Sequence, residues 1–200
     1  MINERIDELV EYISVSGREA DVSKVKEEYF RENAGIYGDE ESYDMRIGSF
    51  LEWYLIDRMI GGKSLLEEYA ESIDDPEKRE ELLNLREGLR SIFEVTGVYD
   101  DRVYLKDLIN GRKYIVLSPY ANKFFKGKNI LDCRIFKYDE KRYTMSESYF
   151  FHPEKAKKII VSKLKEAAAM DKVGLLLNSL ASMSLKWERY RNFKVEEIYK

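Results

Sequence analysis

The hydrophobic period of this chain changes near Ser91, and no other feature constrains its fold as strongly. Before that point apolar residues recur at helical spacing: Ile2, Ile6, Leu9, Val10 and Ile13, then Val22, Val25, Tyr29 and Phe30. After it, Phe93, Val95 and Gly97 alternate with Glu94 and Thr96, the period of a strand with one buried face. From about Glu154 the helical period returns. A chain that segregates helices and strands into blocks, without alternating them, belongs to the α+β class. We therefore expect an N-terminal helical bundle over 1–90, a small curved antiparallel β-sheet or partial barrel over 91–152, and C-terminal helices over 153–200. The three parts can pack as one unit.

Local punctuation supports these blocks. The first helix ends at Ser16-Gly17, and the second stops before Gly35. A third helix, about 43–60, carries the widest apolar stripe (Ile47, Phe50, Leu51, Tyr54, Leu55, Met59) and is expected at the centre of the helical core. Gly61-Gly62 ends it, Ser64 with Glu67 forms a capping box, and Asp75-Pro76 starts a further helix. Strands are expected at Arg102–Leu108, Tyr114–Leu117, Leu131–Ile135 and Arg142–Phe151, with Asn110-Gly111 as a hairpin turn. Ile159, Ile160, Leu164, Ala167, Ala168, Leu176, Leu177, Leu180, Met183 and Trp187 form the inward faces of two last helices.

The net charge of −4 conceals a large internal swing. Residues 1–101 hold 12 Lys and Arg against 27 Asp and Glu, a net of −15, whereas residues 102–165 hold 16 against 6, a net of +10. Either the basic segment faces an external polyanion, or the two halves neutralise each other.

Several function classes lack their sequence requirements. No apolar run is long enough to span a bilayer, the N-terminus lacks the pattern of a signal peptide, and a lone cysteine cannot close an internal disulfide. A soluble, cytoplasmic chain with no membrane partner is the expectation. Gly61-Gly62-Lys63-Ser64 resembles the end of a phosphate-binding loop, but Asp57 stands where the first glycine is needed, and a helix precedes it. His152, the only histidine, is expected to cap or lie exposed at a strand-to-helix junction, and Cys133 to be a small buried apolar residue. With one His and one Cys no ordinary zinc site can form, no cofactor is expected, and a carboxylate-only Mg²⁺ or Ca²⁺ site stays open. Asp107 before a hairpin meets one requirement of a nuclease site, but the following strand offers no Glu-x-Lys.

The remaining signal is a run of cations among aromatics. Lys126, Lys128, Arg134, Lys137, Lys141 and Arg142 lie among Phe124, Phe125, Phe136, Tyr138 and Tyr143. If Leu131, Cys133 and Ile135 point inward, Asp132, Arg134 and Phe136 take the opposite face. Exposed rings beside cations suit single-stranded nucleic acid, since bases stack on rings and phosphates meet cations. Buried rings with solvated lysines is the competing account. The candidate binding residues are Lys126, Lys128, Arg134, Phe136, Lys137, Tyr138 and Arg142.

Phe50-Leu51-Glu52-Trp53-Tyr54-Leu55-Ile56-Asp57, Gly62-Lys63-Ser64-Leu65, Phe93-Glu94-Val95, Leu105-Lys106-Asp107-Leu108 with Gly111, and Gly127 ahead of Leu131 to Arg134 form a pattern over about 45–140. That pattern resembles an uncharacterised prokaryotic family, some members of which carry a C-terminal SEC-C metal-binding motif. The Cys/His cluster of that motif is absent here, so the resemblance implies the helix-then-strand layout and no activity. Within it, Trp53 and Asp57 are pocket candidates together with Asp107; alternatively Asp57 is a buried carboxylate paired with a backbone amide or an arginine such as Arg134. Three functions are compatible with these residues: a non-enzymatic binding or adaptor module contacting a nucleic acid or acidic protein; a carboxylate-based, metal-dependent hydrolase of nucleic acid; and a structural protein forming a homo-oligomer through its C-terminal helices.

Overall fold

The computed structural model describes residues 2–31, 35–119 and 121–200. They divide into two units, Met1–Leu89 with Ser146–Ser148, and Arg90–Met145 with Tyr149–Lys200.

In the first unit α1 (Ile2–Val15) buries Leu9 and Ile13, and α2 (Glu19–Phe30) buries Val25 and Phe30. The stop ahead of Gly35 falls partly on 32–34, outside the described residues. Helix α3 (Tyr43–Glu52) is shorter than its apolar stripe implies, because it widens into a π-helical turn over Trp53–Asp57. Arg58 N–H donates to the carbonyl of Trp53, five residues back, at 3.0 Å. Within this wider turn the consecutive Tyr54, Leu55 and Ile56 are all buried. Met59, expected in the core, is 57% exposed. The rings of Tyr29, Phe30, Phe50, Trp53 and Tyr54 pack together with neighbouring centroids 5.0–6.2 Å apart.

The glycine pair that mimics a phosphate loop does not end the helix, which stops earlier, at Asp57. Gly61 and Gly62 instead turn the chain between Ile60 and Lys63, whose backbones exchange hydrogen bonds of 2.8 and 3.3 Å. Gly61 and Gly62 take φ of +62° and +93°, and Ser64 opens α4 (Leu65–Glu71) with both hydrogen bonds of a capping box. Asp75 caps α5 (Pro76–Leu83) by accepting from the backbone N–H of Glu77 and Lys78.

The second unit is built on six strands: β1 (Leu89–Tyr99), β2 (Arg102–Asp107), β3 (Lys113–Leu117), β4 (Ile130–Lys137), β5 (Arg142–Met145) and β6 (Phe150–His152). Their order is β1-β2-β3-β5-β4, and β4 pairs back to β1, so five strands close into a barrel with β6 added beside β4. Closure is visible in the bonds Val95 N–H to Asn129 O (2.9 Å) and Lys128 N–H to Val95 O (2.8 Å). The partial barrel is therefore closed, and one pair, β3 with β5, is parallel. Phe93, Val95, Val103, Leu105, Val116, Leu131, Cys133 and Ile135 are buried along its inward positions. The last expected strand is interrupted at Ser146–Ser148, which belongs to the first unit; there a Cβ on Gly48 would overlap the Ser148 side chain.

The Asn110-Gly111 connection is longer than a two-residue turn. Buried Asp107 ends β2 by collecting the Ser91 hydroxyl (3.0 Å), the Ile109 N–H (2.6 Å) and the Asn110 side-chain amide (3.0 Å), and only Gly111 takes positive φ. A short α6 (Ala121–Phe124) follows β3, and α7 (Lys157–Ala169), α8 (Val173–Arg189) and α9 (Val195–Ile198) close the chain. Ile160, Leu164, Leu177, Leu180, Ile198 and Tyr199 form one core with Ile92 and Ile130 of the barrel. His152, expected to be exposed or capping, is buried, with its Nδ1 2.9 Å from the Tyr199 hydroxyl.

Candidate nucleic-acid interface

Strand alternation sorts the barrel residues onto two faces. In β2 the outward positions are Arg102, Tyr104 and Lys106, and in β3 they are Lys113, Ile115 and Leu117. The register places Arg102 opposite Leu117, Tyr104 opposite Ile115, and Lys106 opposite Lys113. On β1 the same face carries Glu94, Gly97 and Tyr99, and on β5 it carries Arg142, paired with Ile115. Two adjoining grooves run along this surface. One, of about 540 Å³, is lined by Arg102, Ile115, Asp139, Glu140, Lys141 and Arg142. The other, of about 530 Å³, is lined by Thr96, Gly97, Tyr104, Leu105, Lys113, Tyr114, Ile115 and Lys141. Ile115 and Lys141 border both, so the grooves form one continuous track across β1, β2, β3 and the β4–β5 turn.

The cations on this track differ in what already holds them. Arg142 donates to Asp139 from Nε (2.7 Å) and Nη2 (2.6 Å), and its guanidinium lies over the Tyr138 ring, 5.3 Å from the centroid. Asp139 also accepts from the backbone N–H of Lys141 (2.9 Å) and Arg142 (2.7 Å), and these donors, the Arg142 side chain first, hold its carboxyl at about 2. Arg102 lies 3.6 Å from Asp101, and Glu94, opposite Lys106, pairs with Lys157. Among the described residues no ion pair engages Lys106, Lys113 or Lys141. Lys106 and Lys113 thus face each other, both exposed and both positive; like charges directly opposite destabilise a ladder unless an anion screens them.

The residues singled out from the sequence divide accordingly. Arg142, with exposed Lys137 and Tyr138 (60% exposed), lies at the β4–β5 end of the track. Lys126 and Lys128 are exposed at the β1–β4 seam. Arg134 (3% exposed) and Phe136 (2%) leave the candidate surface: they do lie opposite Cys133 and Ile135, but β4 is buried on both faces. Asp132 on that same outer face meets Arg90, which also donates to Asn178 of α8. Of the pocket candidates, Trp53 packs among the rings of the first unit, Asp57 is exposed at the end of the π turn and is not a buried carboxylate, and Asp107 is the buried loop cap. The residues that sequence proximity missed are Arg102, Tyr104, Lys106 and Lys113. Alternation within Arg-Val-Tyr-Leu-Lys-Asp already places the first three on one face, but only the register adds the fourth.

Among the described residues no three His, Cys, Asp or Glu side chains are grouped to hold a metal ion, and no helix is long and apolar enough to cross a membrane.

A meander of three strands, a parallel β3–β5 pair, and closure of β4 on β1 are the order and directions of an OB-type barrel, here extended by β6 and the C-terminal helices. The chain belongs to a family of unknown function, DUF7986, whose profile matches residues 14–174. No curated protein and no solved structure is significantly similar to it.

Proposed function

We propose that the chain is a non-enzymatic binding module that takes single-stranded nucleic acid along the outer β1-β2-β3-β5 face of its barrel. The exposed Lys106–Lys113 pair carries this reading, since two lysines facing across a ladder are best relieved by a bound polyanion. Lys141 continues the positive line, and Tyr104, Tyr99 (66% exposed) and Tyr138 supply rings beside the cations. Phosphates on lysines with bases on rings is the chemistry of single-strand recognition, and strands 2–3 with the β1–β2 and β4–β5 turns are where OB barrels present ligand surfaces. That last support is an analogy of fold.

Binding of a fluorescent oligo-dT or oligo-U strand, titrated with salt from about 20 to 200 mM, tests the reading. The expected result is an affinity falling linearly in a log–log plot, with a slope of about −0.7 per phosphate neutralised. Absence of binding at the lowest salt would overturn it, and so would binding that survives Lys106→Glu combined with Lys113→Glu unchanged.

A further inference from the structure

We infer that Gly97 and Tyr104 form a base-stacking subsite on this face, so that the barrel reads its ligand as nucleic acid and not merely as a polyanion. The inference rests on the binding reading above and names the group that the groove beside Lys113 and Lys141 accepts: one planar nucleobase.

Gly97 is an unexpected residue for its place. It lies on an outward position of β1, where a β-branched or aromatic side chain would favour the strand. Its φ is outside the left-handed region, so the backbone there does not require glycine. Nor does crowding: a Cβ at this position would meet nothing closer than Tyr104 Cδ2 at 3.9 Å, an ordinary van der Waals contact. A β-bulge lies between Val95 and Gly97, where the Thr96 hydroxyl donates to the Tyr104 carbonyl at 3.1 Å. Glycine in a strand marks a bulge, a bend or the close approach of another group, and the β1 irregularity between Val95 and Gly97 adjoins this position.

The absence of a side chain has one consequence for its neighbour. Tyr104 stands directly across from Gly97 on one side and from Ile115 on the other. With no side chain at 97, the edge of the Tyr104 ring borders Gly97 directly, its Cδ2 3.9 Å from where a Cβ would stand, and both residues line the adjoining groove. A base entering that groove has a ring to stack on and an isoleucine at its edge. Lys113 and Lys141 stand at the groove's border to meet the flanking phosphates. A larger side chain at 97 would fill the space without disturbing the charges.

The test compares two strands with equal phosphate number, a dT20 oligonucleotide and a dT20 analogue whose central ten residues are abasic. Each is titrated into the wild-type chain and into Gly97→Val and Tyr104→Leu variants at about 50 mM salt, with thermal melting in parallel. Wild type should bind the base-bearing strand at least about tenfold more tightly. Both variants should lose that preference and retain the wild-type affinity for the abasic strand, with Gly97→Val melting at or above wild type. Equal wild-type affinity for the two strands would overturn the stacking subsite while leaving the polyanion reading in place. A preference retained in Tyr104→Leu would overturn it as well. If Gly97→Val instead lowers both stability and abasic-strand binding, the glycine is a bend and the inference fails. Binding of neither strand by wild type would overturn both readings.

Discussion

Lys106 and Lys113 face each other across the β2–β3 ladder, both exposed, with no carboxylate bridging them. Stability and binding therefore make opposite demands on this pair. Lys113→Glu converts a repulsive cross-strand pair into an attractive one and should raise the melting temperature by a degree or more. The same change should weaken strand binding at least tenfold and reduce the salt slope by about one unit. Calorimetric melts and salt titrations on one preparation check both signs.

Asp139 and Arg142 predict how the β4–β5 turn responds to acid. The folded carboxyl titrates at about 2, below the usual carboxylate value of about 3.9. A depressed carboxylate stabilises the fold above its unfolded pKa, and that contribution is lost as pH falls through the folded one. The turn should hold its geometry from neutrality to about pH 4 and loosen between about 4 and 2. NMR titration of the Asp139 carboxyl carbon and of the Lys141 and Arg142 amides, which it caps, should show one transition near pH 2. Asp139→Asn should abolish it.

Tyr54 gives a second pH signature, in the helical unit. Its hydroxyl donates to Asp21 at 2.7 Å, and burial followed by that carboxylate pushes its pKa up from 10.0 to about 12. Asp21, which also accepts from Arg58 at 2.7 Å, is lowered in turn, chiefly by the Tyr54 hydrogen bond. A raised tyrosine stabilises the fold below its unfolded pKa, and the contribution disappears as pH rises from about 10 to about 12. Tyr54→Phe should cost about 1–2 kcal/mol at pH 7, because Asp21 keeps Arg58, and should flatten this alkaline limb. Urea melts at pH 8, 10 and 11 would detect it.

Asp107 separates a cap from a catalytic carboxylate. Each of its oxygens already accepts a hydrogen bond from within the loop or from Ser91, so Asp107→Ala should cost about 1–3 kcal/mol by leaving buried donors unmet. Strand-cleavage assays with Mg²⁺ should give the same result for wild type and variant. Cleavage present in wild type and lost in a folded Asp107→Ala variant would count against the capping role.

Tyr199, directly after α9, anchors that helix. It is wholly buried, joins the core formed by α7, α8 and the barrel, and meets His152. Tyr199→Ala should cost about 3–5 kcal/mol, the range for removing a buried ring, whereas Tyr199→Phe should cost about 1 kcal/mol. Denaturant melts of the full chain distinguish them.

Much of the local structure is legible in the residues themselves. The period change near Ser91, the Ser64–Glu67 capping box and the Asp75-Pro76 start depend on neighbours three or four positions away, and each forms as its sequence dictates. Contacts between distant segments are another matter. Nothing local in Ile130–Lys137 says that β4 is covered on both faces, so Arg134 and Phe136 read as surface when they are buried. Nothing local joins Lys113 to Lys106, or Gly97 to Tyr104, since register is set by strand pairing and barrel closure. The kinds of elements and many of their ends follow from the residues alone, because hydrophobic period and capping are short-range. Which face of the barrel stays exposed is set by long-range packing, because exposure is a property of what other segments cover.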